Sequence, residues 1–217
     1  MHPAGSCLAV FGNTKVICTA SVSRDLPPFK RDSGSGWVTG EYAMLPGSTG
    51  GGRKRRDGVK KDGRSTEIQR LIGRSLRAAV NLDALGEVSI TVDCDVLQAD
   101  GGTRTTAISG GWVALYDALR GIAEERGVEG PEHFLYGQLA AVSVGIVGGE
   151  VICDLDYEHD SRADVDMNVV MRDDALVEVQ GTGEQGVFSR GDLSALLDSA
   201  ATGIDLIYEA QRKAVGI

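Results

Sequence analysis

Asp93-Cys-Asp-Val-Leu-Gln-Ala-Asp-Gly-Gly-Thr-Arg-Thr105 joins two kinds of periodicity. Leading into it, Val88, Ile90, Val92, Cys94 and Val96 alternate with Ser89, Thr91, Asp93 and Asp95, the period of a strand with one buried face. Beyond it, Ile108, Val113, Leu115, Tyr116 and Leu119 recur at roughly helical spacing. The strand therefore runs into Gly101-Gly102 and then a helix expected to start near Thr103. Such a helix turns free N–H groups and its positive dipole end toward any anion above the glycines, whose missing Cβ atoms permit close approach. Arg104 adds a planar, permanently charged fork suited to phosphate oxygens. The same letters also read as a tight turn with a solvated arginine, and the spacing fits neither a Walker loop nor a dinucleotide fingerprint.

The 217 residues are enough to bury a substantial core, and one unit over 1–217 is expected. Apolar and charged contents of 42% and 24% are ordinary for a globular protein. No apolar run approaches the ~20 residues that span a bilayer, and Met1-His2-Pro3-Ala4 opens no signal peptide, so a cytoplasmic protein is expected. Cys7, Cys18, Cys94 and Cys153 lie in apolar stretches without Cys-x-x-Cys spacing, which favours reduced thiols over disulfides or a zinc site. The net charge of -9 first argues against a polyanion partner. Its distribution reverses that inference: of 22 basic residues, seven fall among the twelve from Arg53 to Arg64, with only Asp57 and Asp62 opposing them. Local charge sets where a nucleic-acid backbone is drawn.

From Leu8 to Val22, two alternating runs flank Gly12-Asn13 and read as a hairpin. Trp37 to Pro46 reads as a strand, followed by Gly47-Ser-Thr-Gly-Gly-Gly52 and the basic run, a loop expected to be mobile until a partner orders it. Ser65 or Thr66 is expected to cap the next helix, with Gln69 in capping-box position. Ile68, Leu71, Ile72, Leu76, Ala79 and Val80 form its apolar stripe; Arg70, Arg74 and Arg77 sit on another face and are expected to be a solvated or subunit-facing stripe, and Arg64 just precedes the start. A second hairpin over Leu139–Tyr157 turns at Gly148-Gly149. Strands follow at Val165–Val170 and Val177–Gln180, and Ser189 with Asp192 caps a final helix striped by Leu193, Leu196, Leu197, Ala200, Ile204 and Ile207.

Asp154, Asp156, Glu158, Asp160, Asp164 and Asp166 place six carboxylates in thirteen residues. If a strand starts near Asp164, then Asp164 and Asp166 share a face and Asp160 can fold back toward them, as two oxygen donors for a partly hydrated Mg²⁺ require. Solvated loop acids are the competing reading.

Several stretches together resemble the bacterial ribonuclease PH family, phosphate-dependent nucleases of tRNA 3′ ends. They are Gly12–Cys18, Gly36–Pro46, Glu67–Ala78, Asp93–Thr105, Asp164–Val169 and Val179–Glu184, and the resemblance covers nearly the whole chain. It implies an α/β fold of the α+β type, a ribonuclease PH-like compact domain with mixed sheets flanked by helices. It also implies a homohexameric ring built as a trimer of dimers. Carried over by motif, Arg64, Gly102, Thr103 and Arg104 hold inorganic phosphate, Asp160 and Asp166 serve metal binding and catalysis with Arg104, and Arg53 and Arg56 guide the RNA 3′ end. The cofactor implied is Mg²⁺, the co-substrate inorganic phosphate, and the partners tRNA precursors and other RNA 3′ ends, with no membrane. This chain departs from the family pattern at Gly47, where an arginine is usual, and in its glycine-rich loop. Family members also usually begin about twenty residues earlier, with a first strand, and since the sequence starts at Met1-His2-Pro3 the domain is expected without that strand.

The expected chemistry is 3′-to-5′ phosphorolysis releasing nucleoside diphosphates, reversible when diphosphates are abundant. Asp160 or Asp166 is also placed to handle the leaving oxygen's proton. A non-catalytic RNA-binding ring subunit and a hydrolytic nuclease are the alternatives.

Overall fold

The computed structural model describes residues 2–50, 52–53 and 63–217. Most of the basic run, including Arg56, lies outside the described residues, and with it the expectation of a mobile loop.

The N-terminal hairpin forms as its alternation requires: β1 (Gly5–Phe11) and β2 (Thr14–Ser23) turn at Gly12-Asn13. They join β3 (Trp37–Met44) and β4 (Ser89–Gln98) in a sheet of order β1-β2-β4-β3. β3 and β4 are parallel, so the chain must cross over between them, and α1 (Gly63–Ala79) and the single turn α2 (Leu82–Leu85) provide the crossover. Val16, Cys18, Ala20, Ile90, Val92, Cys94 and Val96 are fully buried on one face of this sheet, as the period of two predicts.

The central helix α3 (Thr103–Arg126) starts at the predicted residue and covers that face together with α1. It is buried nearly all round because it also carries the second sheet on its far side. Small residues there, Ala107, Gly110, Gly111, Ala114 and Ala118, let two sheets close on one helix. The second sheet, antiparallel throughout, has the order β6-β5-β7-β8, from β5 (Leu139–Val147), β6 (Glu150–Cys153), β7 (Val165–Arg172) and β8 (Ala175–Gly183). Its outer face packs Ala140, Val142, Val144, Met167 and Val169 against Leu196, Ala200 and Ile204 of α5 (Arg190–Val215). Ser189 caps α5 as predicted, its hydroxyl accepting from Asp192 N–H at 3.1 Å while the Asp192 carboxylate accepts from Ser189 N–H at 2.8 Å.

Four expectations are corrected. α1 begins at Gly63, so neither Ser65 nor Thr66 stands at its boundary and Arg64 lies inside the first turn; Gln69 donates instead to Glu41 on β3. β8 runs on to Gly183, because Gly181 and Gly183 pair with Met167 and Val165. Asp164 precedes the pleat of β7, and its carboxylate accepts from the Gly148 N–H at 3.2 Å. Of the three arginines expected as a solvated or subunit-facing stripe of α1, two are used internally: Arg74 pairs with Glu178, and Arg77 donates to the Val38 carbonyl at 2.8 Å with its guanidinium 4.2 Å from the Trp37 ring centre. All four cysteines are unpaired, with Cys18 and Cys94 fully buried.

Candidate active site

A cleft of about 1370 Å³ opens where the C-terminal end of β4 meets the inner face of the second sheet. Arg64, Gly102, Thr103, Arg104, Asp160 and Asp166 all line it. Arg53 is exposed and not among its lining residues, although Thr49 and Gly50 of the same loop are.

Its floor is the turn between β4 and α3. Gly101 and Gly102 both adopt positive φ, +76° and +53°, which L side chains rarely take. A Cβ on Gly101 would lie 2.1 Å from the Leu155 carbonyl oxygen, so this glycine serves the packing of the second sheet's connection. The expectation that Gly101 makes room for an anion is thereby corrected. The turn is clamped from the N-terminal hairpin: Thr14 Oγ1 donates to the Gly101 carbonyl at 2.7 Å and accepts from the Asp100 N–H at 2.8 Å, and Asn13 Nδ2 donates to Asp100 at 2.9 Å. Thr105 and Thr106 donate their hydroxyls to the Gly102 carbonyl at 2.8 and 2.9 Å, bracing the first turn of α3. Thr103 shares a buried hydrogen bond of 2.9 Å with Tyr42 of β3. The opening N–H groups of α3 thus stand at a rigid edge of the cleft.

The acids come from the facing sheet. Asp166 and Asn168 point inward from β7, on the side opposite Val165, Met167 and Val169, and Ser143 lies beside them on β5. Asp160 ends the one-turn helix α4 (Tyr157–Asp160), which Asp156 caps by accepting from the His159 N–H at 2.9 Å. The acid run therefore divides by role: Asp156 caps, Glu158 pairs with Arg162, Asp164 ties down a turn, and Asp160 and Asp166 face the cleft. Glu184, just past β8, joins them. Burial, then the Asp160 charge, pushes the Asp166 carboxyl up to about 6, with Arg104 pulling the other way and Glu184 adding to the rise. Burial also raises Asp160, opposed by Arg64 and Arg104 and reinforced by Glu184. Arg104 thus acts on both carboxylates, and Arg64 on Asp160, across one space.

Among the described residues no group of three or more His, Cys, Asp or Glu is arranged to hold a metal ion by itself. Two crowded carboxylates, each costly to ionise alone, do fit a hard divalent cation whose charge would offset theirs and whose remaining ligands are water and phosphate oxygens. Sequence reasoning missed Glu184, Ser143, Asn168 and Tyr157 as lining residues. Asn168 was open to discovery, since it sits two positions after Asp166 in the same pleat.

An α/β protein with two arginines at a helix mouth and paired acids in the same cleft has the make-up of a phosphoryl-handling enzyme. The chain belongs to the 3′ exoribonuclease family, in its ribonuclease PH branch. Residues 1–120 match the family's domain 1 and residues 137–203 its domain 2. The chain is 56% identical to ribonuclease PH of Corynebacterium diphtheriae over 216 residues, covering 99% of this chain and 88% of that one. In fold it is similar to rice (Oryza sativa) Rrp46, with a TM-score of 0.75 at 18% identity over 99% of this chain and 89% of that one. An Archaeoglobus fulgidus exosome structure with RNA bound to the active site superposes with a TM-score of 0.74, at 21% identity over 98% and 84% of the two chains. The expected fold class, mixed sheets flanked by helices, is the one observed.

Proposed function

We propose that this protein is a phosphate-dependent 3′-to-5′ exoribonuclease that trims tRNA precursors and other RNA 3′ ends. The observation that carries the reading is the placement of Arg64 and Arg104 opposite Asp160 and Asp166 in one cleft. Inorganic phosphate is already a nucleophile at neutral pH, so no serine, cysteine or histidine need be activated. The obstacle is bringing two anions together. Arg64, Arg104, Thr103 and the N–H groups at the start of α3 hold the attacking phosphate and offset its charge.

An oxygen of that phosphate attacks the phosphorus of the last phosphodiester. The bond from phosphorus to the 3′ oxygen of the penultimate nucleotide breaks, that oxygen takes a proton, and the terminal nucleotide leaves as its 5′-diphosphate. The phosphodiester bond that breaks is replaced by the phosphoanhydride bond of the diphosphate, of similar energy, so the reverse transfer is accessible when diphosphates are abundant. Asp160 and Asp166 would hold Mg²⁺, which when bound neutralises charge on the scissile group's oxygens. Arg53 and Arg56 draw the RNA backbone toward the cleft. The functional assembly is a hexameric ring in the cytoplasm.

A non-catalytic RNA-binding subunit is not favoured, because binding alone needs no acidic pair beside a phosphate seat. The test is product analysis on a short RNA with and without inorganic phosphate. Nucleoside diphosphates released only with phosphate support the reading; monophosphates released without it would replace it with hydrolysis.

A further inference from the structure

Arg104 does not meet the cleft as a loose side chain. Its Nη1 donates to Gln180 Oε1 of β8 at 3.4 Å, and Glu67 of α1 stands 3.6 Å away. Gln180 is itself fixed, since its Nε2 donates to Glu178 Oε1 at 3.0 Å. Glu178 is gripped in turn by the fork of Arg74, whose Nε and Nη2 reach its two carboxylate oxygens. The chain Arg74–Glu178–Gln180–Arg104 thus crosses from α1 through β8 to α3. Neither Arg74, Glu178 nor Gln180 lines the cleft.

The order of donors leaves little freedom. An amide carries one acceptor and one donor end, and Glu178 accepts from the donor end, so the Gln180 oxygen must point at Arg104. Glu178 keeps that setting because a bidentate pair fixes orientation as well as distance. An uncharged acceptor orients a guanidinium without neutralising it. Glu67 already pairs with Arg104 at 3.6 Å; the neutral Gln180 adds direction without a second counter-charge, whereas a carboxylate at position 180 would compete further with an incoming anion.

We infer that Gln180, locked by Glu178 and Arg74, is the positioning residue that aims Arg104 at inorganic phosphate. The inference rests on the phosphorolytic reading above.

The experiment is steady-state kinetics of Gln180→Ala and Arg74→Ala, varying phosphate and RNA separately, with melting curves to verify folding. Loss of one orienting hydrogen bond should raise the KM for phosphate about 3–10-fold in Gln180→Ala, with a smaller rise in Arg74→Ala. The KM for RNA should stay fixed and kcat should fall by less than the phosphate KM rises. A double-mutant cycle supplies the second readout, using the thermal stabilisation given by inorganic phosphate. With Arg104→Ala already present, Gln180→Ala should change that stabilisation no further. An unchanged phosphate KM, equal rises for phosphate and RNA, or full additivity with Arg104→Ala would overturn the inference while wild type still releases diphosphates. A wild type that needs no phosphate would instead overturn the reading beneath it.

Discussion

Asp166 is unfavourable to the folded chain in isolation. Its carboxyl is held at about 6, above the value near 4 that an unfolded chain gives an aspartate. Folding therefore favours the protonated form, and the penalty for ionising it is absent below about pH 4, grows between about 4 and 6, and is complete above 6. Asp166→Asn should melt higher than wild type at pH 7.5 in the presence of a chelator, with the difference closing at pH 4. After discounting for partial exposure, about 1 kcal/mol is expected, or roughly 2–4 °C in Tm. Equal melting temperatures at pH 7.5 would contradict the crowded-acid picture. In activity the same residue acts oppositely: Asp166→Ala or Arg104→Ala should lower phosphorolysis about 10²–10³-fold while the fold persists. Mutant rates within a few-fold of wild type would remove these residues from the chemistry.

At the scale of elements, the junction of β4 and α3 was readable because two periodicities meet at a glycine pair. The reason for one glycine was not: Gly101 makes room for the Leu155 carbonyl, a contact 54 positions away in sequence. Gly101→Ala should therefore cost both stability and activity, and an intact Tm would show that the segment after β6 yields easily. Capping at Ser189 was legible because it is local. The boundary of α1 was misplaced because Gln69, a plausible capping partner, is taken by Glu41 on another element. Likewise the arginines of α1 looked solvated, since Glu178 and Trp37 come from distant strands. Asp164 failed for the opposite reason: the pleat begins one residue later than its letters suggest.

The basic run is tested at this scale too. Substituting Arg53 and Arg56 together should raise the KM for RNA and flatten its salt dependence, since fewer counterions are released on binding. An unchanged KM would take the run off the RNA path.

Across the whole molecule, α3 belongs to both halves: the family's domain 1 ends at residue 120 within it, yet it packs against both sheets. One shared helix predicts one cooperative thermal transition, and two separated transitions would show that the sheets fold independently. The single elements were legible because alternation and turn glycines are properties of contiguous sequence, whereas the architecture that joins them came only with the family resemblance. The cleft was legible only in its parts, Arg64, Arg104, Asp160 and Asp166; the network behind Arg104 joins residues 74, 178, 180 and 104, which no local pattern connects.

The measurement that bears most directly on phosphate as the attacking group is transfer of isotopically labelled inorganic phosphate during trimming of a short RNA. Label should appear in the β-phosphate of the released nucleoside diphosphates and vanish with Arg104→Ala. Shortened RNA accompanied by unlabelled monophosphates would mean that water attacks instead, and that the arginines and acids of this cleft serve another reaction.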